Sequence, residues 1–440
     1  MSIQSLFNHS FKQLPTSITR IVVAYSGGLD SRVLLHLAAE YVRLQADVEL
    51  LAVHVNHGLQ HSAAQWQEHC RLQANALSVE FVAEQVSVEV KPRESLEAVA
   101  REKRYAALAK HIDAKSCLLT GHHADDQFET FTLALKRGSG LQGLAAMPLC
   151  RSFAKGVLLR PLLTCSRVEL ETYAKQQGLT WVEDPSNQSL EFDRNFVRHQ
   201  VLPTFSKRWP QWLHTAQRSV QHLQEAVSLL DELAELDYQN CISAQALVIA
   251  SLTTLSQARQ KNLIRFWFKL LDWDYPSQSQ LAQIMQQIEA KDDAKVAITF
   301  SEGQLRRFKN KLYLVNSKTL VETNSTVAWL WDRQRILNLQ NNSQISWQAG
   351  GSLLPPNKNQ QVTIRFRQQV EQGSFDALER NGNRSIKKLL QEAGLAPWLR
   401  NRIPFVFYND DLVAIGHLYT HRQFNSTNNQ GVTLNWQSVC

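Results

Sequence analysis

Tyr25-Ser26-Gly27-Gly28-Leu29-Asp30-Ser31 decides how the rest of this 440-residue chain is read. Ahead of it, Ile21-Val22-Val23-Ala24 is an unbroken apolar run, the pattern of a parallel strand buried on both faces. Behind it, Val33, Leu34, Leu37, Ala38 and Tyr41 recur at helical spacing, which makes the stretch a strand-to-helix turn. Adjacent glycines let a backbone turn tightly and approach a bound group. The helix beyond aims its unpaired N–H groups and positive dipole end at the turn, where anions, usually phosphate, bind. Ser26 and Ser31 add hydroxyl donors, and Asp30 adds a carboxylate suited to Mg²⁺ or to orienting a reacting group. A lone Gly-Gly reads as an ordinary turn; the full S-G-G-x-D-S between strand and helix favours phosphate.

The chain holds neither G-x-x-x-x-G-K-[ST] nor, at this turn, G-x-G-x-x-G. The spacing instead resembles the pyrophosphatase-type loop of enzymes that adenylate a substrate and release pyrophosphate from ATP.

Working outward, strands are predicted at Val48–Val55, Val79–Val86 and Cys117–Thr120, with helices over 64–77 and 96–110. Such alternation implies a doubly wound α/β fold, a parallel sheet whose ligands sit at the carboxyl ends of its strands. Polar residues stand at three of those ends: Ser26-Gly27-Gly28, His54-Val55-Asn56-His57-Gly58 and Gly121-His122-His123. Farther on, Ser166-x-x-Glu169 is a capping box for a helix that ends near Gly178, and Trp181 to Asn187 reads as a short strand with an Asp-Pro turn.

From Leu213, apolar residues at Ala216, Val220, Leu223, Val227 and Leu230 keep heptad-like spacing. The pattern spans barely three heptads and predicts a single amphipathic helix, with a coiled-coil seam and a homodimer as the alternative. Residues 245–315 read as a small helical domain closed by a hairpin of Val296–Phe300 with Leu312–Val315. The polar stretch 339–361 marks a boundary. In the last unit Ser385 caps a basic helix ending near Gly394, and Phe405–Tyr408 pairs with Leu412–Ile415. The expected division is 1–212, an ATP-binding catalytic domain; 213–330, a helical linker and middle domain; and 360–440, a small α+β C-terminal domain.

The formal charge is +7, which suits a polyanionic partner. Six scattered cysteines include no C-x-x-C pair, which disfavours a zinc knuckle or iron–sulfur cluster and suits a reducing compartment. The first twenty residues lack an apolar h-region, and no run approaches the ~18 apolar residues of a membrane span. A soluble, cytoplasmic protein without a signal peptide is expected.

Gly121-His122-His123-Ala124-Asp125-Asp126-Gln127-Phe128-Glu129-Thr130 is the second dense stretch. On a helix, Asp125 and Glu129 lie one turn apart, as do His122 and Asp126. Three readings fit: a divalent metal site, a solvated helix start whose acids suit the dipole, or carboxylates that hold an ammonium-bearing substrate. The phosphate loop upstream favours the third.

With Val55-Asn56-His57-Gly58-Leu59, Arg104-Tyr105, Lys136-Arg137-Gly138-x-Gly140, Arg160-Pro161-Leu162-Leu163, Asp184-Pro185-Ser186-Asn187 and Arg194-Asn195-x-x-Arg198, these motifs resemble the tRNA(Ile)-lysidine synthetase family in its own order. Asn381-Gly382, Lys387-Lys388, Pro397-Trp398-Leu399-Arg400 and Phe407-Tyr408 resemble its C-terminal domain. The resemblance implies a ligase that activates C2 of the wobble cytidine in the CAU anticodon of tRNA(Ile) with ATP and Mg²⁺. Lysine then displaces AMP and leaves lysidine, which pairs with A.

On that resemblance Ser26, Gly27, Gly28, Leu29, Asp30 and Ser31 bind ATP, with Asp30 the Mg²⁺ ligand. Asp30, Arg104 and Arg198 are catalytic, and Asp126 and Glu129 bind lysine. Arg384, Lys387, Lys388 and Arg400 bind tRNA, with Trp398 placed to stack. Within 384–402 five basic residues, Arg402 included, face one acid, Glu392. The alternatives are a tRNA thiolase on the same loop, which calls for paired cysteines, and a non-catalytic RNA-binding protein. Arg32 stands where a small or apolar residue is expected, and Asn383 where a glycine would complete a pair.

Overall fold

Six strands build the first sheet: β1 (Arg20–Ala24), β2 (Glu49–Asn56), β3 (Glu80–Gln85), β4 (Ser116–Leu119), β5 (Cys150–Phe153) and β6 (Gly156–Leu159). Their spatial order is β3-β2-β1-β4-β6-β5, parallel except for β5 against β6. Val22 of β1 pairs with Leu51 on one side and Leu118 on the other, and all three are buried. The period-2 alternation of the strand sends its neighbours to opposite layers. Ile21 and Val23 pack with Leu34 and Ala38 of α1 (Leu29–Val42), Cys70 and Ala74 of α2 (Ala63–Ala76), and Leu170 and Ala174 of α5 (Arg167–Gln176). Val22 packs with Leu108 of α3 (Leu96–Ala109). Helices therefore cover both faces, which is why β1 carries no polar residue between Ile21 and Ala24.

The chain moves from β1 through β2 to β3, then crosses to the other side of β1 to place β4. That reversal opens a crevice beyond the carboxyl ends of β1 and β4. The turn after β1 leads into α1, and the turn after β4 leads into α4 (Ala124–Lys136), so the two dense motifs of the sequence meet there.

The computed structural model describes the chain apart from residues 1, 15–16, 46, 57–62, 90–95, 184–188, 291–296, 321–324, 341–342, 371–372, 427–429 and 439–440. His57 and its neighbours, Asp184–Asn187 and Asn341-Asn342 lie outside the described residues. Two compact units emerge, Met1–Leu229 and Leu230–Cys440. No helix among the described residues is long and apolar enough to cross a membrane.

In the first unit a broken helical rod packs on α4: α6 (Asp193–Phe196), a π-helical stretch over Val197–Val201, and α7 (Leu202–Arg208). Phe128 of α4 anchors it with Val197 and Leu202 of the rod and with Trp212, whose ring lies 4.1 Å from Phe128. Trp212 opens α8 (Trp212–Cys241), the single helix expected from the heptad-like spacing.

In the second unit, β7 (Ile242–Ser243), β8 (Ala246–Val248), β9 (Ala297–Thr299), β10 (Gly303–Phe308) and β11 (Lys311–Asn316) form a sheet ordered β7-β8-β11-β10-β9. It packs with α9 (Gln257–Leu270) and α10 (Gln278–Glu289) around Trp267, Phe268, Ile284, Leu305 and Leu312. The expected hairpin is corrected here. β11 pairs with β10, Leu314 opposite Leu305, and β9 pairs with the far side of β10. Arg306, Arg307 and Gln304 hid β10 as a strand, although its residues alternate regularly between buried and half-buried.

The final segment contains a five-stranded sheet of Val327–Trp329, Val362–Arg365, Phe405–Tyr408, Asp411–Ile415 and Tyr419–Thr420 in spatial order. Beside it run Ile336–Leu339, Ser343–Gly351 and Gly431–Ser438. Phe405–Tyr408 pairs with Asp411–Ile415 as read from the sequence. α11 (Ile386–Glu392) follows Ser385 and stops before Gly394 at φ +72°. Gly382 alone takes the left-handed turn there, at φ +75°, so Asn383 needs no special conformation. Trp181–Glu183 is not a strand; Val182 donates its N–H to Gly27 O at 3.0 Å instead.

Candidate active site

The turn after β1 is held from within. Ser31 Oγ donates to Gly28 O at 3.0 Å and accepts from Gly27 N at 3.1 Å, and it lies 3.0 Å from Ser26 Oγ. Gly27 sits at φ +88°, and a Cβ there would fall 2.6 Å from the buried Cys70 Sγ, so only glycine fits. Gly121, after β4, is as constrained. A Cβ on it would meet the Asp30 carbonyl carbon at 3.1 Å and Ser31 N at 3.2 Å. This close approach locks the two strand ends together. No side chain caps α1 at Gly28, which leaves the N–H groups of its first turn available to an anion at the crevice.

Asp30 lies at the centre of the charged groups. Arg167, at the start of α5, reaches both its carboxylate oxygens at 3.4 Å, and His123 Nε2 lies 3.7 Å from Oδ1. Burial pushes the Asp30 pKa up, against the pull of His123 and Arg167. His123 is fully buried, with Asp125 Oδ2 at 3.3 Å and Asp126 Oδ2 at 3.4 Å. Burial alone would lower its pKa, but the surrounding carboxylates raise it to about 9, so the ring is an imidazolium at neutral pH. His122 is also buried. Burial drives its pKa down to about 3, and its Nδ1 lies 2.9 Å from Thr120 Oγ1. It precedes α4 rather than lying one helical turn from Asp126, because the helix starts at Ala124.

On the inner face of the rod, Arg194 and Arg198 converge on α4. Arg194 Nε donates to Glu129 Oε2 at 2.7 Å; Arg198 Nε donates to Glu129 Oε1 at 2.7 Å and its Nη2 to Asp126 Oδ1 at 3.0 Å. Asp126 Oδ2 meanwhile accepts from His123 N at 3.1 Å, closing a capping box. Burial opposes charge on both arginines, yet the carboxylates hold their pKa values above the ordinary one. Burial likewise opposes charge on Asp126, yet His123, His122, Arg194 and Arg198 hold its pKa below the ordinary carboxylate range. Arg198 also feels the charge of Asp30, which ties the acidic cluster to the phosphate loop.

The structure thus gathers Ser26–Ser31, Asp30, Asp126, Glu129 and Arg198 into one crevice. Glu129 is 0 % exposed with both oxygens taken by the two arginines, and Asp126, 8 % exposed, accepts from Arg198 on Oδ1 and from His123 N on Oδ2. Arg104 is on α3 with its guanidinium 5.6 Å from the Tyr105 ring centroid. Among the described residues no group of His, Cys, Asp and Glu is arranged to hold a metal ion alone. Asp30 beside a phosphate cradle still fits Mg²⁺, which commonly takes one or two carboxylates and completes its shell with phosphate and water. His123, Arg167 and Asp125 went unassigned in the sequence. Asp125 accepts from Arg167 N at 2.8 Å, and that pairing across the fold leaves no local signal.

In the second unit, Lys387 and Lys388 on α11 are exposed, with no ion-pair partner among the described residues. Arg384 is ion-paired with Glu392, and Arg400 Nε donates to Leu395 O at 3.0 Å. Two expectations are corrected. Arg402 is 2 % exposed and adds nothing to a basic surface. Trp398, read as a free stacking ring, packs against Tyr313 at 5.2 Å and Phe308 at 6.0 Å, with Arg306 over its face at 5.5 Å. β10 and β11 supplied these partners, and β10 was the strand the sequence concealed.

Fold and loop define a PP-loop nucleotide-using enzyme. Residues 2–205 match the family model for the PP-loop domain, 247–313 that for the TilS substrate binding domain, and 362–436 that for the TilS substrate C-terminal domain. The tRNA(Ile)-lysidine synthase of Proteus mirabilis is 38% identical over 96% of this chain and 96% of its own. That of Serratia proteamaculans is 42% identical over 90% of each chain, and that of Coxiella burnetii 38% over 91% of this chain and 89% of its own. The chain belongs to the tRNA(Ile)-lysidine synthase family.

Proposed function

We propose that this enzyme uses ATP and Mg²⁺ to attach L-lysine to C2 of the wobble cytidine in the CAU anticodon of tRNA(Ile), in the cytoplasm. The observation that carries the reading is the junction of the anion cradle at Gly28–Ser31 with the Asp126–Arg198–Glu129 cluster through Asp30 and His123. A two-step ligation needs both halves within one crevice.

In the first step the C2 oxygen of the cytidine attacks the α-phosphorus of ATP, and pyrophosphate leaves. The backbone N–H groups after Gly28, with Ser26 and Ser31, hold the departing pyrophosphate. Asp30 would hold Mg²⁺, which neutralises phosphate charge when bound. Arg198 and Arg104 spread the charge that develops on the reacting phosphate. In the second step the lysine ε-amine attacks C2 and AMP leaves. The ε-ammonium gives up a proton before it attacks, so Asp126 holds the α-ammonium of lysine, with Glu129 behind it fixing both arginines. The four carboxylates Asp30, Asp125, Asp126 and Glu129 are faced by Arg167, Arg194, Arg198 and charged His123, so the crevice does not repel a polyanion.

The ordered roles predict pyrophosphate release that requires tRNA but not lysine. Following pyrophosphate from ATP with tRNA(Ile) present and lysine omitted tests this. Release without tRNA, or only with lysine, would overturn the order of steps.

A further inference from the structure

The rod that closes the crevice has an outer face as well as an inner one. Phe196 N donates to Phe192 O at 2.9 Å, so both rings lie on one face of the turn. Arg194 and Arg198, two residues out of phase, point the other way into the carboxylates. Phe192 is 40 % exposed and Phe196 49 %. Isolated exposed apolar residues are ordinary, but two exposed rings one helical turn apart beside a reactive crevice mark a contact surface. At the far end of the rod Lys207, Arg208 and Trp209 are exposed in succession, Trp209 by 54 %, and neither cation has an ion-pair partner among the described residues. With Arg194 and Arg198 taken up by the inner carboxylates, Lys207 and Arg208 are the cations that the rod leaves exposed among the described residues.

Resting on the function above, we propose that the outer face of this rod docks the anticodon loop, Phe192 and Phe196 stacking the unpaired base next to the reacting cytidine while Lys207 and Arg208 take backbone phosphates. A base that must be reached at C2 cannot remain in its loop stack, and its neighbours are left with bare faces. Aromatic side chains take up such faces without regard to sequence. The rings stand about one helix diameter, roughly 10 Å, from the arginines of the inner face. Charge complementarity and continuity with the crevice choose RNA over a second protein.

The test uses the full-length enzyme and a tRNA(Ile) transcript carrying 2-aminopurine at the adenine 3′ to the wobble cytidine. The wild-type enzyme quenches this probe by stacking. The F192A/F196A double variant should lose the quench and bind the transcript roughly ten- to a hundredfold more weakly, with ATP affinity unchanged. F192Y/F196Y, which keeps both rings, should restore the quench. Unchanged quench and affinity in F192A/F196A would overturn the docking face while leaving the ligase reading intact. So would a change in oligomeric state with tRNA affinity retained, since the patch would then belong to a second copy. Failure of the wild-type enzyme to bind the transcript would overturn both.

Discussion

Arg198 grips Glu129 with two parallel hydrogen bonds, Nε to Oε1 at 2.7 Å and Nη2 to Oε2 at 3.1 Å. The carboxylate also accepts from Arg194 and is sealed from solvent, so it is the fixed point on which both arginines depend. Removing one partner of a buried ion pair strands the other charges and costs about 3 kcal/mol or more. Glu129→Gln should therefore lower Tm by roughly 6–12 °C and abolish lysine transfer, as thermal unfolding and product formation would record. A variant with near-wild-type Tm would mean that Glu129 is not the anchor.

Asp30→Asn keeps the shape of the side chain and removes its charge. With Ser31, Gly27 and Gly28 bonded among themselves, the loop should persist, and so should tRNA binding. Pyrophosphate release should fall by about two to three orders of magnitude, the scale of losing one charge-stabilising group. Near-normal release would remove Asp30 as metal ligand or orienting group.

His122 supplies an acid-side prediction. Burial depresses its pKa from the ordinary 6.5 to about 3, so between these values the unfolded chain binds a proton that the folded protein refuses. Stability therefore falls as pH drops below about 6.5, by about 1.4 kcal/mol per pH unit from this group. Folded His123 stays charged throughout that window while its unfolded form, with the ordinary pKa of 6.5, is still gaining protons, so it offsets a small part of this loss. Comparing denaturant unfolding at pH 6.5 and 5 in wild type and His122→Gln should show a smaller loss in the variant. Equal losses would place the proton uptake elsewhere.

Lys387 and Lys388 are the basic residues of α11 left exposed and without ion-pair partners among the described residues. Replacing both with Ala should weaken tRNA binding and reduce the salt slope by up to about two units, with ATP binding unchanged. An unaltered slope would take α11 out of the tRNA-recognition account.

The two stretches that meet at the crevice were readable because each is contiguous in sequence. Ser26 to Ser31 and His122 to Glu129 are each one short unbroken stretch, and βα alternation alone says that strand ends converge. What escaped depends on distant pairing. Nothing near Arg167 in sequence says that it faces Asp30, and nothing near Trp398 says that Tyr313 and Phe308 will cover it. Arg402 and Arg32 show the same limit. Both read as surface or anomalous charges, yet they are 2 % and 5 % exposed, since sequence gives charge but not depth. Arg32 has no catalytic role in this account.

In the proposed function one crevice first adenylates a tRNA base and then replaces AMP with lysine. Radiolabelled lysine, ATP and a tRNA(Ile) transcript bearing CAU, set against the same transcript with U in place of the wobble C, test it most directly. The account predicts stoichiometric, ATP-dependent incorporation of lysine into the CAU transcript and none into its partner. Absence of label from the CAU transcript, or equal labelling of both, would contradict it.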